Sequence, residues 1–188
     1  MKSLIRCKIF IALLMLSNVG AVRSQTPCND TLGNWHLEMN KTYFQRVYSY
    51  PEKDSISLQR EVLEMIRTIE NIRDVSEVHG VISASVTNRW VRFQKFGYQR
   101  SKMPIAILSP QNFSISCDVK PGKYRVTVSN IVNVPDVTPN LGPTYWNTLP
   151  YKSKTGCFSA VGTIVAAMKA MDADYSDLFL LNTNTEDW

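Results

Sequence analysis

The sequence predicts an α+β fold in which a single curved antiparallel sheet has its helices packed on one face. Residues 116–130, SCDVKPGKYRVTVSN, place Pro121 and Gly122 between two runs of alternating apolar and polar residues. Residues 55–69 carry an apolar stripe at helical spacing, and residues 158–171 are apolar nearly all round. Because such helices and one-sided strands must bury their apolar surfaces against each other, a two-layer sandwich is expected.

The hairpin follows from a period of two. Alternate residues of a strand fall on opposite faces, so each run has one apolar face. Pro121 presets φ for a turn, and Gly122 adopts a positive φ without a Cβ clash. The predicted buried set is Phe113, Ile115, Cys117, Val119, Tyr124, Val126 and Val128.

The two helices differ in how much of their surface is apolar. Asp54 or Ser55 is a suitable cap for the helix at 55–69, whose apolar residues recur on one stripe. That stripe is formed by Leu58, Val62, Met65, Ile66 and Ile69. The segment at 158–171 is too short to span a bilayer and contains Lys169, so it is expected to be a buried helix.

Further strands are predicted from β-branched and aromatic residues bounded by turn formers. They cover residues 42–50, 78–86, 90–96 and 105–108. The helix at 55–69 is expected to fade out before residue 74.

Two irregular segments complete the chain. Residues 25–41 are predicted to be an extended lead-in, which Trp35 is able to attach to the α+β domain at 42–188. The proline-rich segment at 130–153 is predicted to be a surface loop. Its Tyr145 and Trp146 are candidates for a binding edge or, alternatively, for packing the loop down.

Residues 1–24 have the three parts of a secretory signal peptide. A head with three basic residues precedes an unbroken apolar run at 9–16, and small residues follow. The run is shorter than the roughly 20 apolar residues that cross a bilayer. We therefore expect cleavage after Ser24, with Ala21 as the alternative, and no membrane span in the mature protein.

The charge balance argues against nucleic acid as a partner. The leader carries four of the 21 basic residues and none of the 16 acidic ones, so the net charge falls from +5 to +1 on cleavage. A nucleic-acid-binding surface requires an excess of cations that this mature chain lacks.

The three cysteines of the mature chain are Cys28, Cys117 and Cys157. In an oxidising compartment one pair is expected to close and one thiol to be left over. The sequence leaves the choice of pair open. Cys117 lies on the buried side of its strand, so a free buried thiol there is one of the outcomes.

Four blocks of the chain carry a resemblance to a known family. They are the segments at 42–50 and 55–69, the HGVISASV strand, and GKYRVTVSNIVNV at 122–134. Behind an export signal, these blocks resemble a family of bacterial secreted domains of unknown function.

The resemblance covers residues 42–134 and implies a two-layer sandwich like the TATA-box-binding protein fold, together with a Gram-negative envelope location. It implies no catalytic residues and no DNA binding, because a shared fold is not a shared function. The chain departs from the family by an insertion at 97–112 and by the apolar helix that follows the proline-rich loop.

A thiol-dependent hydrolase is the enzymatic alternative. Cys157 precedes the apolar helix, where a helix N-terminus lowers a thiol pKa, and His79 or His36 is a candidate base. The competing interpretation makes Cys157 a disulfide partner or a small core residue, as export favours.

No metal or other cofactor is predicted. Asp172, Asp174 and Asp177 lie close together but lack the glycine and the distal glutamate of an EF-hand loop. We therefore expect them to form a solvated helix face. The sequence as a whole predicts an exported, non-enzymatic protein of the periplasm or cell envelope that binds a protein or a cell-surface component.

Overall fold

The computed structural model of the chain describes residues 31–39, 41–135, 142–152, 157–158 and 161–181. Within these residues the α-helices are α1, Ser55–Arg67, and α2, Gly162–Leu178. The strands are β1 Thr31–Leu32, β2 Trp35–Glu38, β3 Lys41–Ser49, β4 Ile72–Val78, β5 Val81–Arg89, β6 Gln111–Lys120, β7 Lys123–Asn133, β8 Thr144–Tyr145, β9 Tyr151–Lys152 and β10 Cys157–Phe158.

One antiparallel sheet contains most of these strands. Its order is β1-β2-β3-β7-β6-β5-β4, and β8 pairs with the end of β7. The predicted hairpin is present as β6–β7 near the centre of the sheet, and Gly122 has a φ of +71° in its turn. A Cβ at Gly122 would lie 3.3 Å from the backbone of Pro51. Glycine therefore also allows the turn to approach the segment that follows β3 closely.

Both helices cover one face of this sheet, which confirms the predicted α+β fold. The predicted apolar residues of β6 and β7 are buried except Val119, which is half-buried, and they form one hydrophobic cluster with residues of both helices. The helical members of the cluster are Leu58, Val62 and Ile66 from α1, and Ala167, Met168, Ala170, Met171 and Tyr175 from α2. Burying each large apolar side chain contributes about 1.5–3 kcal/mol.

Helix α1 forms where it was predicted. The Asp54 carboxylate caps it by accepting hydrogen bonds from the backbone N–H groups of Ile56 and Ser57, at 2.8 and 2.9 Å. These bonds satisfy two donors that have no partner inside the helix.

Helix α2 begins later than predicted, at Gly162, and continues past residue 171 to Leu178. Phe158 instead pairs with Tyr151 in the small β9–β10 sheet. The extension holds because Tyr175 and Asp174 are both fully buried and hydrogen-bonded to the body of the protein.

The structure contains a strand, β4, where the end of α1 was expected. Its alternation is interrupted at Asp74, which has a φ of +53° at a bulge between Arg73 and Ser76. The turn at His79 and Gly80, both with positive φ, then leads into β5, so the strand predicted at 78–86 lies at 81–89.

The strands predicted at 90–96 and 105–108 are wrong. The structure has 3₁₀ helices at Phe93–Phe96, Arg100–Lys102 and Ile105–Leu108. A three-residue spacing puts Arg92 and Lys95 on one side, where both reach Asp177 of α2. This contact with the helix is non-local, so it was not visible as a sequence pattern.

Part of the predicted lead-in belongs to the sheet. Trp35 of β2 pairs with Phe44 of β3, and their rings meet edge to face at 6.0 Å. The Trp35 side chain is fully buried and its Nε1 donates to the Met168 carbonyl of α2 at 2.8 Å. Trp35 thus ties the edge hairpin to the helical layer.

Candidate binding site on the outer face of the sheet

Cys157 does not have the surroundings that a catalytic thiol requires. It lies in β10 rather than at the start of α2, and it is disulfide-bonded. A sulfur in a disulfide is not a thiolate, so the hydrolase hypothesis loses its nucleophile. Cys117 is a free thiol and is therefore not the partner of Cys157, while Cys28 lies outside the described residues.

The two candidate bases, His79 and His36, also lack the surroundings of catalytic residues. His79 is an exposed residue of the β4–β5 turn, and His36 stacks on Tyr43 at 5.5 Å. Cys117 is fully buried, and burial raises the pKa of its thiol to about 12. At neutral pH it is a protonated core residue.

Of the two candidate binding aromatics, only Tyr145 is on the surface. Its side chain is 52% exposed, whereas Trp146 is fully buried. The Trp146 Nε1 donates to Asn133 Oδ1, so Trp146 packs the loop against the sheet and is not a binding side chain.

The three aspartates of α2 do not form a solvated face, and that expectation is wrong. Asp174 is fully buried and contacts Arg89 at 2.6 Å. Asp172 accepts hydrogen bonds from the backbone N and the Nδ2 of Asn34, at 2.8 and 2.7 Å. Asp177 binds Arg92 and Lys95, as described above. All three carboxylates therefore join α2 to other elements of the fold.

The sheet face opposite the helices, here called the outer face, is lined mainly by small hydroxyl side chains. Strand register aligns them in rows across β5, β6, β7 and β3. The rows are Ser83, Ser116, Thr127 and Gln45, then Ser85, Ser114 and Ser129. These side chains are partly or fully exposed. The face therefore offers a flat array of hydrogen-bonding groups with little charge.

The outer face is broken where β3 and β7 separate, a place we call the fork. Pairing of β3 with β7 extends as far as Phe44 and Val128, after which Asn130 has a φ of +54° and β7 turns away. The gap is bridged by consecutive residues of another segment. The Trp146 N–H donates to the Ile131 carbonyl, and the Asn147 carbonyl accepts from the Thr42 N–H, both at 2.8 Å.

A cleft lies at this fork, and we call it the fork cleft. It has a volume of about 330 Å³, within the range of small-molecule sites. Its lining consists of Glu38, Lys41, Thr42, Tyr43, Gln45, Thr127, Ser129, Asn130 and Asn147. Three separate parts of the chain thus contribute, and every one of these side chains carries a polar group.

The fork cleft is electrically balanced. Its two charged residues are Glu38 and Lys41, which have opposite signs. The Tyr43 hydroxyl donates to Glu38 Oε2 at 3.3 Å. Partial burial and the Glu38 carboxylate raise the pKa of Tyr43, so its phenol keeps its proton at neutral pH.

Two buried polar atoms at the fork have no hydrogen-bond partner among the described residues. They are Thr42 Oγ1 and Asn147 Oδ1. Thr42 is only 2% exposed and lies on the same side of β3 as the buried Phe44, so its hydroxyl is on the helix side of the sheet and only Asn147 Oδ1 is near the outer face. A buried polar atom without a hydrogen-bond partner costs about 1–3 kcal/mol of folding stability, so each of these two atoms requires an explanation.

A second cleft lies at the opposite end of the outer face and is more basic. It is lined by Val47, Asp118, Lys120, Lys123, Tyr124 and Arg125. Asp118 is paired with Arg125 at 3.0 Å, which leaves the two lysines as its excess charge.

The sequence did not reveal the fork cleft. Alternation placed Thr127 and Ser129 on the polar face of their strand, but nothing local brings Asn147 to them. The signals that point to the fork are Asn130, since asparagine tolerates positive φ, and the tryptophan that precedes Asn147.

Within the described residues, we find no group of three or more histidine, cysteine, aspartate or glutamate side chains placed to hold a metal ion. No helix in the described part of the chain has the length and apolar character needed to cross a membrane.

Comparisons with known proteins bear on the fold. No family model and no curated protein matches the chain. A solved structure of a DUF4468 family protein from Bacteroides ovatus is similar, with a TM-score of 0.51 and 15% identity over 82% of this chain and 95% of that one. A TBP-like protein from Parabacteroides distasonis has a TM-score of 0.45 and 10% identity over 76% of this chain and 90% of that one.

The similarity to the Bacteroides ovatus structure confirms the predicted resemblance at the level of the fold. The chain shares its architecture with that DUF4468 family protein. At 15% identity the similarity says nothing about ligand or partner.

Proposed function

We infer that this chain is an exported, non-enzymatic protein of the cell envelope that binds a protein or cell-surface partner through the outer face of its sheet. The observation that carries the binding role is the outer face itself. Among the described residues neither helix covers it, and it holds the polar fork cleft.

Export is supported by two independent features. The first 24 residues have the pattern of a cleaved leader, and Cys157 is disulfide-bonded. Disulfides persist in oxidising compartments and are rare in the cytosol, so the bond favours the periplasm or the cell exterior.

The export part is tested by expressing the full-length chain with a C-terminal tag in a Gram-negative host. We expect the tagged protein in the envelope or periplasmic fraction, with Gln25 as its N-terminal residue. Recovery in the cytosol with residues 1–24 retained would contradict it.

The binding part is tested by site-specific photocrosslinking with a diazirine side chain, which captures both proteins and glycans. Val47 lies on the outer face and is 56% exposed, while Ile56 lies on α1 and is 81% exposed. We expect a discrete adduct from position 47 in envelope extract and none from position 56. Equal labelling from both positions, or none from either, would contradict the proposal.

A further inference from the structure

We propose that the fork cleft binds an uncharged, hydroxyl-rich ligand, namely a neutral oligosaccharide of the cell surface. The inference rests on the proposed function, since it names the kind of partner that the outer face recognises.

The charge of the cleft favours a neutral ligand. Glu38 and Lys41 offset each other, and the remaining lining groups are hydroxyls and amides. A phosphate or carboxylate ligand requires an excess of cations or a helix N-terminus, and the lining provides neither. The basic cleft at the other end of the outer face is the better place for an anion.

The unpaired amide oxygen of Asn147 favours a ligand group that donates a hydrogen bond. Asn147 Oδ1 accepts only. A sugar hydroxyl is able to donate to it. The oxygen is closed to solvent, so this contact involves rotation of the Asn147 side chain about its own bonds.

Neighbouring groups extend the same chemistry. Gln45 Nε2 donates to Thr127 Oγ1 at 3.0 Å, which fixes the amide and leaves the Gln45 carbonyl and the Thr127 O–H for other partners. Ser129 lies one pair further along β7 on the same face. A row of fixed neutral donors and acceptors matches the successive hydroxyls of a sugar ring.

Tyr43 provides an apolar surface beside these polar groups. His36 of β2 stacks on its ring at 5.5 Å with 18° between the planes. The strand order places β2 on one side of β3 and β7 on the other, so the other face of the ring is on the side of the fork cleft. An aromatic face packs against the C–H face of a sugar while hydrogen bonds hold its edge.

The experiment measures binding of the purified mature protein to immobilised neutral glycans, with heparin and polygalacturonate as anionic comparisons. Titration calorimetry then follows the best neutral oligosaccharide. We expect Y43A to weaken binding about tenfold or more and Y43F to stay within about threefold, because phenylalanine keeps the ring.

S129A is the sharpest variant because it removes an outward-facing cleft hydroxyl with a very small change of volume. We expect weaker glycan binding, by about threefold or more, with a melting temperature close to that of the parent. The matched control is S116A, since Ser116 pairs with Thr127 across β6 and β7 and lies outside the cleft. It should bind like the parent.

Three results would overturn this inference. One is no binding to any neutral glycan, and another is binding that Y43A and S129A leave unchanged. The third is binding of anionic glycans alone, lost in K123A rather than Y43A, which would assign recognition to the basic cleft. If crosslinking from position 47 persists in any of these cases, the proposed function stands and only the glycan assignment falls. If the purified protein bound the glycan but the full-length chain stayed in the cytosol, the glycan assignment would stand and the export part of the proposed function would fall.

Discussion

Arg89 and Asp174 form a two-pronged ion pair inside the protein. Arg89 Nη1 lies 2.6 Å from Asp174 Oδ2, and Nη2 lies 3.1 Å from Oδ1. The side chains are 7% and 0% exposed. Arg92 Nε adds a third bond to Asp174 Oδ1 at 2.8 Å. The end of β5 and the 3₁₀ segment are thereby fastened to α2.

Removal of the Asp174 carboxylate should be strongly destabilising. D174A leaves the Arg89 guanidinium buried without its counter-charge, so we expect a loss of about 3–5 kcal/mol in the free energy of unfolding. Urea unfolding followed by circular dichroism measures this loss.

Asp118 offers a matched control because it pairs with Arg125 on the exposed outer face. D118A should cost at most about 1 kcal/mol. If the two aspartate variants lost similar amounts, the buried pair would not have the role given to it here.

Gly33 is required by two constraints at once. Its φ is +63°, and a Cβ there would lie 2.4 Å from Asp172 Oδ2. G33A should therefore displace the carboxylate that binds Asn34 and loosen the β1–β2 hairpin. We expect a loss well above the roughly 1–2 kcal/mol of left-handed strain alone, measured by thermal unfolding.

A variant at Gly80 is the control that separates backbone strain from steric crowding. Its φ is +78°, but nothing lies within 4 Å of a Cβ built there. G80A should show the strain cost only. A G33A variant no less stable than G80A would mean that Asp172 is free to move aside.

The elements that the sequence predicted are those decided by local chemistry. The alternation of β6 and β7, the turn at Gly122, and the Asp54 cap of α1 each depend on neighbours within a few residues. The burial of Asp174 could not be predicted, because its partner Arg89 is 85 residues away. Alternation failed for β4 because the bulge at Asp74 shifts its register.

The candidate site follows the same rule. Alternation identified which side chains of β7 are polar and outward-facing. The fork itself depends on where Trp146 and Asn147 cross between β3 and β7, and this is a tertiary fact. Of the two aromatics for which the sequence left binding and packing open, Tyr145 is exposed, whereas the buried Trp146 serves the packing that shapes the cleft.

Loss of the Cys157 disulfide should destabilise the protein. Because a cross-link lowers the entropy of the unfolded chain, we expect C157S to lose about 2–4 kcal/mol of unfolding free energy. Dithiothreitol should produce a similar loss in the parent protein and no further loss in C157S. A reductant effect that survives in C157S would place the relevant disulfide elsewhere.

Alkaline pH should destabilise the fold through Cys117. Burial raises the pKa of this thiol from 9.0 to about 12, so between these values the unfolded chain releases a proton that the folded protein keeps. Stability is therefore complete below pH 9 and falls as the pH rises, by about 1 kcal/mol between pH 9 and 10. Burial also raises the pKa of the phenols of Tyr48, Tyr124 and Tyr175, which adds to the loss above pH 10.

Urea unfolding at pH 8, 9 and 10 should show a clear decline in the free energy of unfolding of the parent protein and a much shallower one in C117V, whose side chain has a similar size and no proton to lose. An equal decline in both proteins would remove Cys117 as its source.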